Sequence, residues 1–325
     1  MTGRVWAIGE PEADGMTRLS TEVATLARRI AEAAGREAVG LVVEVDAGTA
    51  ATRLADFVPR VIAVDAIAAA DRPWAAVAAP LIAEIVGGDG PAWIVIGATP
   101  DGHDLAGMLA VLLDAGVLST ATDAAWDPTD GLVVEMSVLG GRAITSCTFT
   151  GDRGIVVLRP NAVDAEPAPA PGSVERSTAT AAAMPTVTII DRVASDAGAV
   201  PIEEARIIVT GGRGVGGPGG FDLVAELAEL LGGTVGATRA AVDSGWIPYA
   251  RQVGQTGKTV KPALYLALGV SGALQHKVGM QTAGAIVAVN RDPDAPLAAF
   301  ADLYVVGDLF EVGPALAAEL RSRRG

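Results

Sequence analysis

The chain has 325 residues, half of them hydrophobic, and a formal net charge of −14. Its length predicts two domains. The acidic charge, without any basic cluster, excludes a protein that binds nucleic acid or an anionic membrane surface. No apolar run reaches the roughly 18–20 residues of a membrane span. Met1–Glu10 lacks a signal-peptide core, and Cys147 is the only cysteine, so we expect a cytoplasmic protein.

The chain up to Leu113 alternates apolar strand-like runs with helical patterns. The predicted strands are Arg4–Gly9, Val39–Val45, Arg60–Val64 and Ala92–Ile96. The predicted helices are Thr17–Ala34, Gly48–Phe57, Pro73–Ile85 and Leu105–Leu113. These strands are apolar along their whole length, which is typical of a parallel sheet covered by helices on both faces.

After Leu113 the pattern changes. Three runs separated by glycine-containing turns are predicted as antiparallel strands at the sheet edge: Leu132–Leu139, Ala143–Phe149 and Ile155–Arg159. Val163–Met184 is rich in Pro, Ala and Ser and is predicted to be an exposed loop. Thr186–Val193 is predicted as one more strand. We place the domain boundary near Gly198, which predicts domains 1–198 and 199–325.

The second domain shows the same alternation. Its predicted strands are Ala205–Thr210, Ala263–Leu268, Ala285–Val289 and Tyr304–Val306, and its predicted helices are Phe221–Leu231, Ser271–Met280 and Leu309–Arg321. The predicted fold class is therefore α/β, with two doubly wound domains and mostly parallel sheets. Ligands of such sheets bind beyond the carboxyl ends of the strands, so the loops after Thr210, Leu268 and Val289 are candidates.

The loop after Thr210 has glycines in a G-x-G-x-x-G arrangement, at Gly212, Gly214 and Gly217. This spacing suggests a Rossmann dinucleotide site, and hence an NAD-dependent dehydrogenase. However, Gly232 stands where an acidic residue is expected, and a simple surface loop explains the glycines equally well.

A second candidate follows the strand that ends at Leu268. Ser271 is predicted to cap a helix, leaving the backbone amides of Gly272, Ala273 and Leu274 unpaired as an anion site. His276 lies one turn further along the helix. The alternatives are an ordinary helix cap and a structural histidine.

Other polar segments have two interpretations each. Thr238 and Arg239 could bind phosphate, or form a helix cap beside a surface arginine. Gln252–Pro262 is polar and rich in glycine, but its spacing does not match the P-loop of an ATPase. Asn290 could bind a base or ribose, and Asp308 could cap the last helix.

Together these segments resemble one family, the α subunit of electron transfer flavoprotein. The matching stretches are GGRG (Gly211–Gly214), TRAAVDSGWIP (Thr238–Pro248), QVGQTGKTVKPALYLALGVSGALQHKVGM (Gln252–Met280) and IVAVNRDPDAPLAAFADLYVVGDLFEVGPAL (Ile286–Leu316). The resemblance continues more loosely through Gly97–Asp123. Departures include Gly107-Met108, where the family has Pro-Arg.

The resemblance implies that the second domain is a Rossmann-like domain that binds FAD. It also implies a heterodimer, in which the first domain contacts a β subunit that carries AMP. The flavin would accept electrons from flavin dehydrogenases, such as the acyl-CoA dehydrogenases of fatty acid β-oxidation. It would pass them to a membrane quinone oxidoreductase. The chain would be an electron carrier without a small-molecule substrate of its own.

The resemblance also implies roles for individual residues. Arg213 and Ser271 would hold the diphosphate, assisted by Thr238. Three residues would tune the flavin: Arg239 beside the isoalloxazine, Thr256 near N5 and His276 near the pyrimidine carbonyl. A cation near the flavin raises its first reduction potential. Asn290, Asp308 and Leu309 would border the adenosine. The predicted cofactor-binding set is Arg213, Thr238, Arg239, Gln252, Val253, Gly254, Gln255, Thr256, Ser271, Gly272, Ala273, Leu274, Gln275, His276, Asn290, Asp308 and Leu309, and no metal site is predicted.

A third hypothesis is a scaffold that has lost its cofactor. Such a protein would lack Thr256, Ser271 or His276, and all three are present.

Overall fold

A computed structural model describes residues 3–12, 15–66, 71–90, 92–139, 143–177, 187–191 and 201–324. The chain divides into two compact units, Met1–Ala194 and Ser195–Gly325. The predicted boundary near Gly198 lies outside the described residues.

The first unit is built on a nine-stranded sheet, and two short strands, β2 and β3, form a separate pair. The strands of this unit are β1 Arg4–Gly9, β2 Pro11–Glu12, β3 Gly15–Met16, β4 Glu37–Glu44, β5 Arg60–Asp65, β6 Ala92–Gly97, β7 Gly116–Asp127, β8 Gly131–Val138, β9 Ala143–Thr148, β10 Arg153–Leu158 and β11 Ser173–Ser177. Its helices are α1 Arg18–Ala34, α2 Gly48–Leu54, α3 Trp74–Gly87 and α4 Pro100–Leu113. The strand order is β11-β5-β4-β1-β6-β10-β7-β8-β9, and β2 pairs separately with β3.

Helices cover both faces of this sheet. Buried residues of α1 and α2 pack on one face, and those of α3 and α4 pack on the other. Helix α1 begins where the Thr17 hydroxyl accepts a hydrogen bond from the Ser20 amide. It ends at Gly35, which has a φ of 63°. The prediction of an α/β fold with a mostly parallel sheet is confirmed for this unit.

The prediction for Ile155–Arg159 was wrong. Strand β10 lies inside the sheet, between β6 and β7, and runs parallel to both. Its residues Ile155–Leu158 are apolar without alternation because both faces of the strand are buried. Strand β7 was not predicted at all, since its exposed positions interrupt the apolar pattern. Strands β8 and β9 are antiparallel edge strands, as predicted.

The Pro- and Ala-rich segment Val163–Met184 is not only a loop. Its residues 173–177 form β11, an edge strand parallel to β5. The Arg60 guanidinium pairs with Glu175 across the two strands, with Nη2 and Oε2 2.7 Å apart. Part of the predicted strand Thr186–Val193 lies outside the described residues, and residues 187–191 contain no strand, so that prediction was wrong there.

The second unit has an entirely parallel five-stranded sheet. Its strands are β12 Ile207–Gly211, β13 Thr234–Ala237, β14 Leu264–Leu268, β15 Ala285–Asn290 and β16 Leu303–Val306. Its helices are α5 Phe221–Leu231, α6 Arg239–Asp243, α7 Leu274–Met280 and α8 Leu309–Arg324. The strand order is β13-β12-β14-β15-β16. Strand β13 was not predicted, because its four residues include a glycine and form no apolar run.

This strand order creates a crevice at a definite place. The chain passes from β12 outward to β13, then returns past β12 to form β14. The connections after β12 and β14 therefore lead away from each other at the carboxyl edge. In open parallel sheets, ligands bind at such a switch point. The loops after Gly211 and Leu268 meet there.

Candidate functional site

The two loops at the switch point touch through their glycines. The Gly212 amide donates to the Leu268 carbonyl at 2.9 Å, and the Gly214 amide donates to the Gly269 carbonyl at 3.0 Å. A Cβ atom on Gly212 would lie 2.3 Å from the Gly269 carbonyl oxygen. The close packing of the two loops is therefore sufficient to explain the glycines at 212 and 214.

The turn that follows β14 has engaged carbonyls and free amides. The carbonyls of Leu268 and Gly269 accept from the glycine loop, as described above. The Val270 carbonyl accepts from Asn290 Nδ2 at 3.0 Å, and the Ser271 carbonyl accepts from the Leu297 amide at 3.1 Å. Among the residues that the structure describes, the amides of residues 270–274 donate to no acceptor. Such a row of amides offers an anion several hydrogen bonds at once.

Ser271 is not the helix cap that the sequence suggested. Helix α7 begins at Leu274, and Ala273 occupies the cap position without a side-chain bond. Ser271 is exposed. The chain bends at Gly272, whose φ is 79° and whose Cβ would meet the Leu297 amide at 2.6 Å. The unpaired amides therefore belong to a turn rather than to the first turn of a long helix.

Thr238 lies directly after β13, next to the end of β12. Its amide donates to the Gly211 carbonyl at 3.1 Å, which holds it next to the first glycine loop. Its hydroxyl is buried, makes no cap bond and has no hydrogen-bond partner among the described residues. A buried hydroxyl without a partner is costly, so this atom fits an oxygen acceptor from a ligand.

Two arginines accompany Thr238. Arg213 is exposed and makes no ion pair with any residue in the described part of the chain. Arg239 is exposed and pairs with Asp243 one helical turn away, with Nε and Oδ2 3.2 Å apart. An exposed i,i+4 pair is weak, so Arg239 keeps its capacity to bind an anion or an electron-rich ring.

The polar loop 252–258 is held against α7. The Val253 amide donates to the carbonyl of Ala237, the last residue of β13, at 2.9 Å. The Gln255 amide donates to the Gln275 carbonyl at 2.7 Å. Gly254 has a φ of 140°, a conformation that side chains rarely adopt. The loop is thus part of the same edge of the sheet.

Within this loop the Thr256 side chain is oriented by its neighbours. Gln252 is buried, and its Nε2 donates to Thr256 Oγ1 at 3.1 Å. The Tyr249 hydroxyl donates to the Thr256 carbonyl at 2.8 Å. Because Thr256 Oγ1 accepts from an amide, its own hydrogen is left to donate elsewhere.

His276 is buried, and both of its ring nitrogens have protein partners. Nδ1 lies 3.0 Å from the Val253 carbonyl oxygen, and Nε2 lies 2.9 Å from the Tyr265 hydroxyl. Burial lowers the pKa of His276 to about 4. The imidazole is therefore neutral near pH 7 and ties α7 and β14 to the loop 252–258.

The last three predicted residues all have structural partners. Asn290 supports the Val270 carbonyl, as described above. Asp308 caps α8 by accepting from the Phe310 amide at 2.9 Å, and it pairs with Arg291. These two contacts, the Phe310 bond first, lower the pKa of Asp308. Leu309 is buried in the core. Their contacts with adenosine stay predictions.

The fold collects the predicted residues at one edge of one sheet. Those at or just after the carboxyl ends of its five strands are Arg213, Thr238, Arg239, Ser271, Asn290 and Asp308. The sequence reading missed three contributors: Tyr249, Tyr265 and Gly279. A Cβ on Gly279 would lie 2.4 Å from the Gly254 amide nitrogen. The chain has three tyrosines, and this scarcity was the one feature of the sequence that could have drawn attention to Tyr249 and Tyr265.

Within the described ranges, no three His, Cys, Asp or Glu side chains group as metal ligands. None of the helices described is both long and apolar enough to cross a membrane.

Comparison with known proteins identifies the family. Residues 5–189 match the electron transfer flavoprotein domain, and residues 201–281 match the electron transfer flavoprotein FAD-binding domain. The electron transfer flavoprotein subunit alpha of Mycobacterium leprae is 42% identical over 246 residues, covering 75% of this chain and 76% of the relative. That of Bacillus subtilis is 41% identical over 236 residues, 72% of each chain. Protein FixB of Bradyrhizobium diazoefficiens is 37% identical over 252 residues, covering 74% of this chain and 67% of the relative. The chain therefore belongs to the electron transfer flavoprotein alpha subunit family.

Proposed function

We propose that this chain is the FAD-holding α subunit of a heterodimeric electron transfer flavoprotein. The observation that carries the proposal is the row of unpaired amides at residues 270–274, at the switch point of the second sheet. The exposed guanidinium of Arg213 belongs to the adjoining loop. An anion bound there would gain several hydrogen bonds and a charge partner. The diphosphate of FAD has the charge and the oxygen acceptors that these groups require.

The remaining polar groups suit the other parts of FAD. A bound flavin supplies one- and two-electron redox chemistry. The buried Thr238 hydroxyl is available to donate to a phosphate oxygen. The Thr256 hydroxyl has a free hydrogen to donate toward the flavin ring. The positive charge of Arg239 favours added electron density on a flavin nearby, which raises its reduction potential. Asn290 and Asp308 hold the turns at the adenosine end.

The proposed partner is a β subunit that carries AMP. The relatives are named as alpha subunits, which supports a second, different chain as the partner. We propose that the assembled protein accepts electrons from flavin dehydrogenases, such as the acyl-CoA dehydrogenases of fatty acid β-oxidation. It passes them to a membrane quinone oxidoreductase, and the α subunit works in the cytoplasm.

An NAD-dependent dehydrogenase is not proposed. That alternative depended on the spacing of Gly212, Gly214 and Gly217, and the first two of these glycines pack against Gly269.

The test is to co-express the chain with its β subunit and record the visible spectrum. We expect the bands of oxidised flavin, extractable as FAD, and their bleaching when a reduced acyl-CoA dehydrogenase is added. A purified heterodimer without flavin would refute the proposal. A flavin-free chain that oxidises NADH would instead support the dehydrogenase alternative.

A further inference from the structure

Tyr249 is an exposed tyrosine that precedes the polar loop 252–258 and is hydrogen bonded to it. It is 60% exposed and begins a short helical turn, Tyr249–Arg251, that leads into the loop. Its hydroxyl lies 2.8 Å from the Thr256 carbonyl oxygen, seven residues further along the chain. A carbonyl oxygen can only accept, so the tyrosine hydroxyl must be the donor in this bond.

The tip of the loop, residues 255–257, is held from outside the loop at two points. The Gln255 amide donates to the Gln275 carbonyl of α7 at 2.7 Å, and the Thr256 carbonyl accepts from Tyr249. Among the residues that the structure describes, no other hydrogen bond joins a group of the tip to a residue outside 252–258. Tyr249 therefore supplies one of two external anchors.

The bond to Tyr249 fixes the orientation of one peptide group, the group between Thr256 and Gly257. At the other end of this planar group, the Gly257 amide donates to the Gly254 carbonyl at 3.0 Å. The peptide is thus bonded at both its C=O and its N–H. Without the Tyr249 hydroxyl, only the N–H end is held. Rotation of the peptide is then eased by Gly257, which has no Cβ to restrict its φ.

We propose that Tyr249 is a positioning residue for the flavin site, which holds the Thr256–Gly257 peptide and thereby directs the Thr256 hydroxyl. The inference rests on the proposed function and deepens it, because that hydroxyl is the group assigned to donate toward the flavin ring. Gln252 Nε2 donates to Thr256 Oγ1 at 3.1 Å, which holds the oxygen. Tyr249 holds the main chain of the same residue. A turn of the peptide would carry the hydroxyl away from its place.

The first measurement is hydrogen exchange at the Gly257 amide of the heterodimer, followed by NMR in wild type and in Tyr249→Phe. We expect exchange to be about two- to fivefold faster in the variant, the effect of losing one exposed neutral hydrogen bond. Tyr304→Phe is the matched control, since its hydroxyl also donates to a backbone carbonyl, that of Asp292, in an exposed region. The control should leave the Gly257 amide unchanged. Equal exchange in wild type and Tyr249→Phe would overturn the proposal.

The second measurement is the first reduction potential of the bound flavin, which a general loss of stability would not move. In Tyr249→Phe the Thr256 hydroxyl donates less well to the flavin, so this potential should fall. We expect the equilibrium constant for adding the first electron to fall about two- to fivefold, or about 20–40 mV at 59 mV per tenfold change. Tyr304→Phe should keep the wild-type potential. An unchanged potential in Tyr249→Phe would show that the bond does not position Thr256.

Thr256→Ala tests whether Tyr249 acts through the threonine hydroxyl. In this variant the hydroxyl is absent, whereas the backbone carbonyl of residue 256 can still accept from Tyr249. Adding Tyr249→Phe should therefore cause no further fall in the first reduction potential. The same fall in both backgrounds would mean that Tyr249 acts on the flavin by another route, which contradicts the proposal.

The outcomes also separate this inference from the proposed function. If the heterodimer contains no flavin, the proposed function fails and the role of Tyr249 at the flavin fails with it. Exchange at Gly257 then still shows whether Tyr249 holds the peptide. If flavin is bound but Tyr249→Phe changes neither the exchange nor the potential, the inference is wrong and the proposed function stands.

Discussion

Glu22 is a buried carboxyl on α1, with 1% of its side chain exposed and an ion pair to Arg18 at 3.0 Å. Burial raises the pKa of Glu22 from 4.5 to about 7, and Arg18 opposes the shift. Between these two values the folded protein keeps a proton that the unfolded chain has lost. Stability therefore falls as the pH rises from about 4.5 to about 7.

Glu22→Gln should remove this dependence, since glutamine carries no charge to bury. We expect the variant to be the more heat-resistant protein at pH 8. Between pH 4.5 and 8, the free energy of unfolding of the wild type should fall by up to about 3 kcal/mol relative to that of the variant. Glu32→Gln is the control, because Glu32 forms the same i,i+4 pair with Arg28 in the same helix but is exposed. Thermal melting against pH measures both, and equal pH profiles for wild type and Glu22→Gln would count against a buried, neutral Glu22.

At the scale of elements, α7 and the loop 252–258 pack backbone against backbone. Gly279 on α7 faces the backbone of Gly254, and the Val260 amide donates to the Gly279 carbonyl at 2.8 Å. No side chain fits between these backbones. A helix and a loop can touch in this way only where both contribute glycine.

Gly279→Ala should therefore displace the loop. Helix propensity alone favours alanine by about 1 kcal/mol, but the overlap is with backbone and costs about 1–3 kcal/mol. We expect a lower melting temperature and FAD affinity reduced by at least tenfold. Gly107→Ala in α4 has no atom within 4 Å of its new Cβ and should be slightly stabilising. If both variants behave alike, the contact with Gly254 does not constrain the loop.

At the scale of the whole molecule, each unit has a switch point, and the two differ in charge. In the first unit it lies between β1 and β6. There Thr99 Oγ1 donates to a carboxylate oxygen of Glu10 at 2.5 Å and accepts from the Gly102 amide at 2.8 Å. A carboxylate repels phosphate, whereas the second unit offers free amides and Arg213.

One flavin per chain, held in the second unit, is the expected stoichiometry. Arg213→Ala should weaken FAD binding about 10- to 100-fold, the usual effect of losing a hydrogen bond to a charged group. Glu10→Gln should leave one flavin per chain, even though it removes the repelling charge. Flavin released by denaturation, divided by chain concentration, gives the answer. Two flavins per chain, or full affinity in Arg213→Ala, would contradict this assignment.

The sequence predicted most accurately those helices and strands whose own residues carry a clear apolar periodicity. Helix α5 was predicted with the bounds that the structure shows, because its apolar periodicity ends at Gly232. Strand β7 and strand β13 were missed, and β10 was placed at the edge, because their identity depends on neighbours far along the chain. A strand is stabilised by the strands that pair with it, and its own sequence does not show which strands these are.

The chemistry of the site divides in the same way. The sequence by itself determined the family, the parallel α/β architecture and the residues that reach the carboxyl edge of the second sheet, since these depend on residue order and apolar pattern. Only the tertiary structure decided which polar groups stay free. The carbonyls of residues 268–271 accept from Gly212, Gly214, Asn290 and Leu297, and the amides of residues 270–274 have no acceptor among the residues that the structure describes. The candidate anion site therefore depends on contacts between distant segments, and the prediction of a helix cap at Ser271 was wrong.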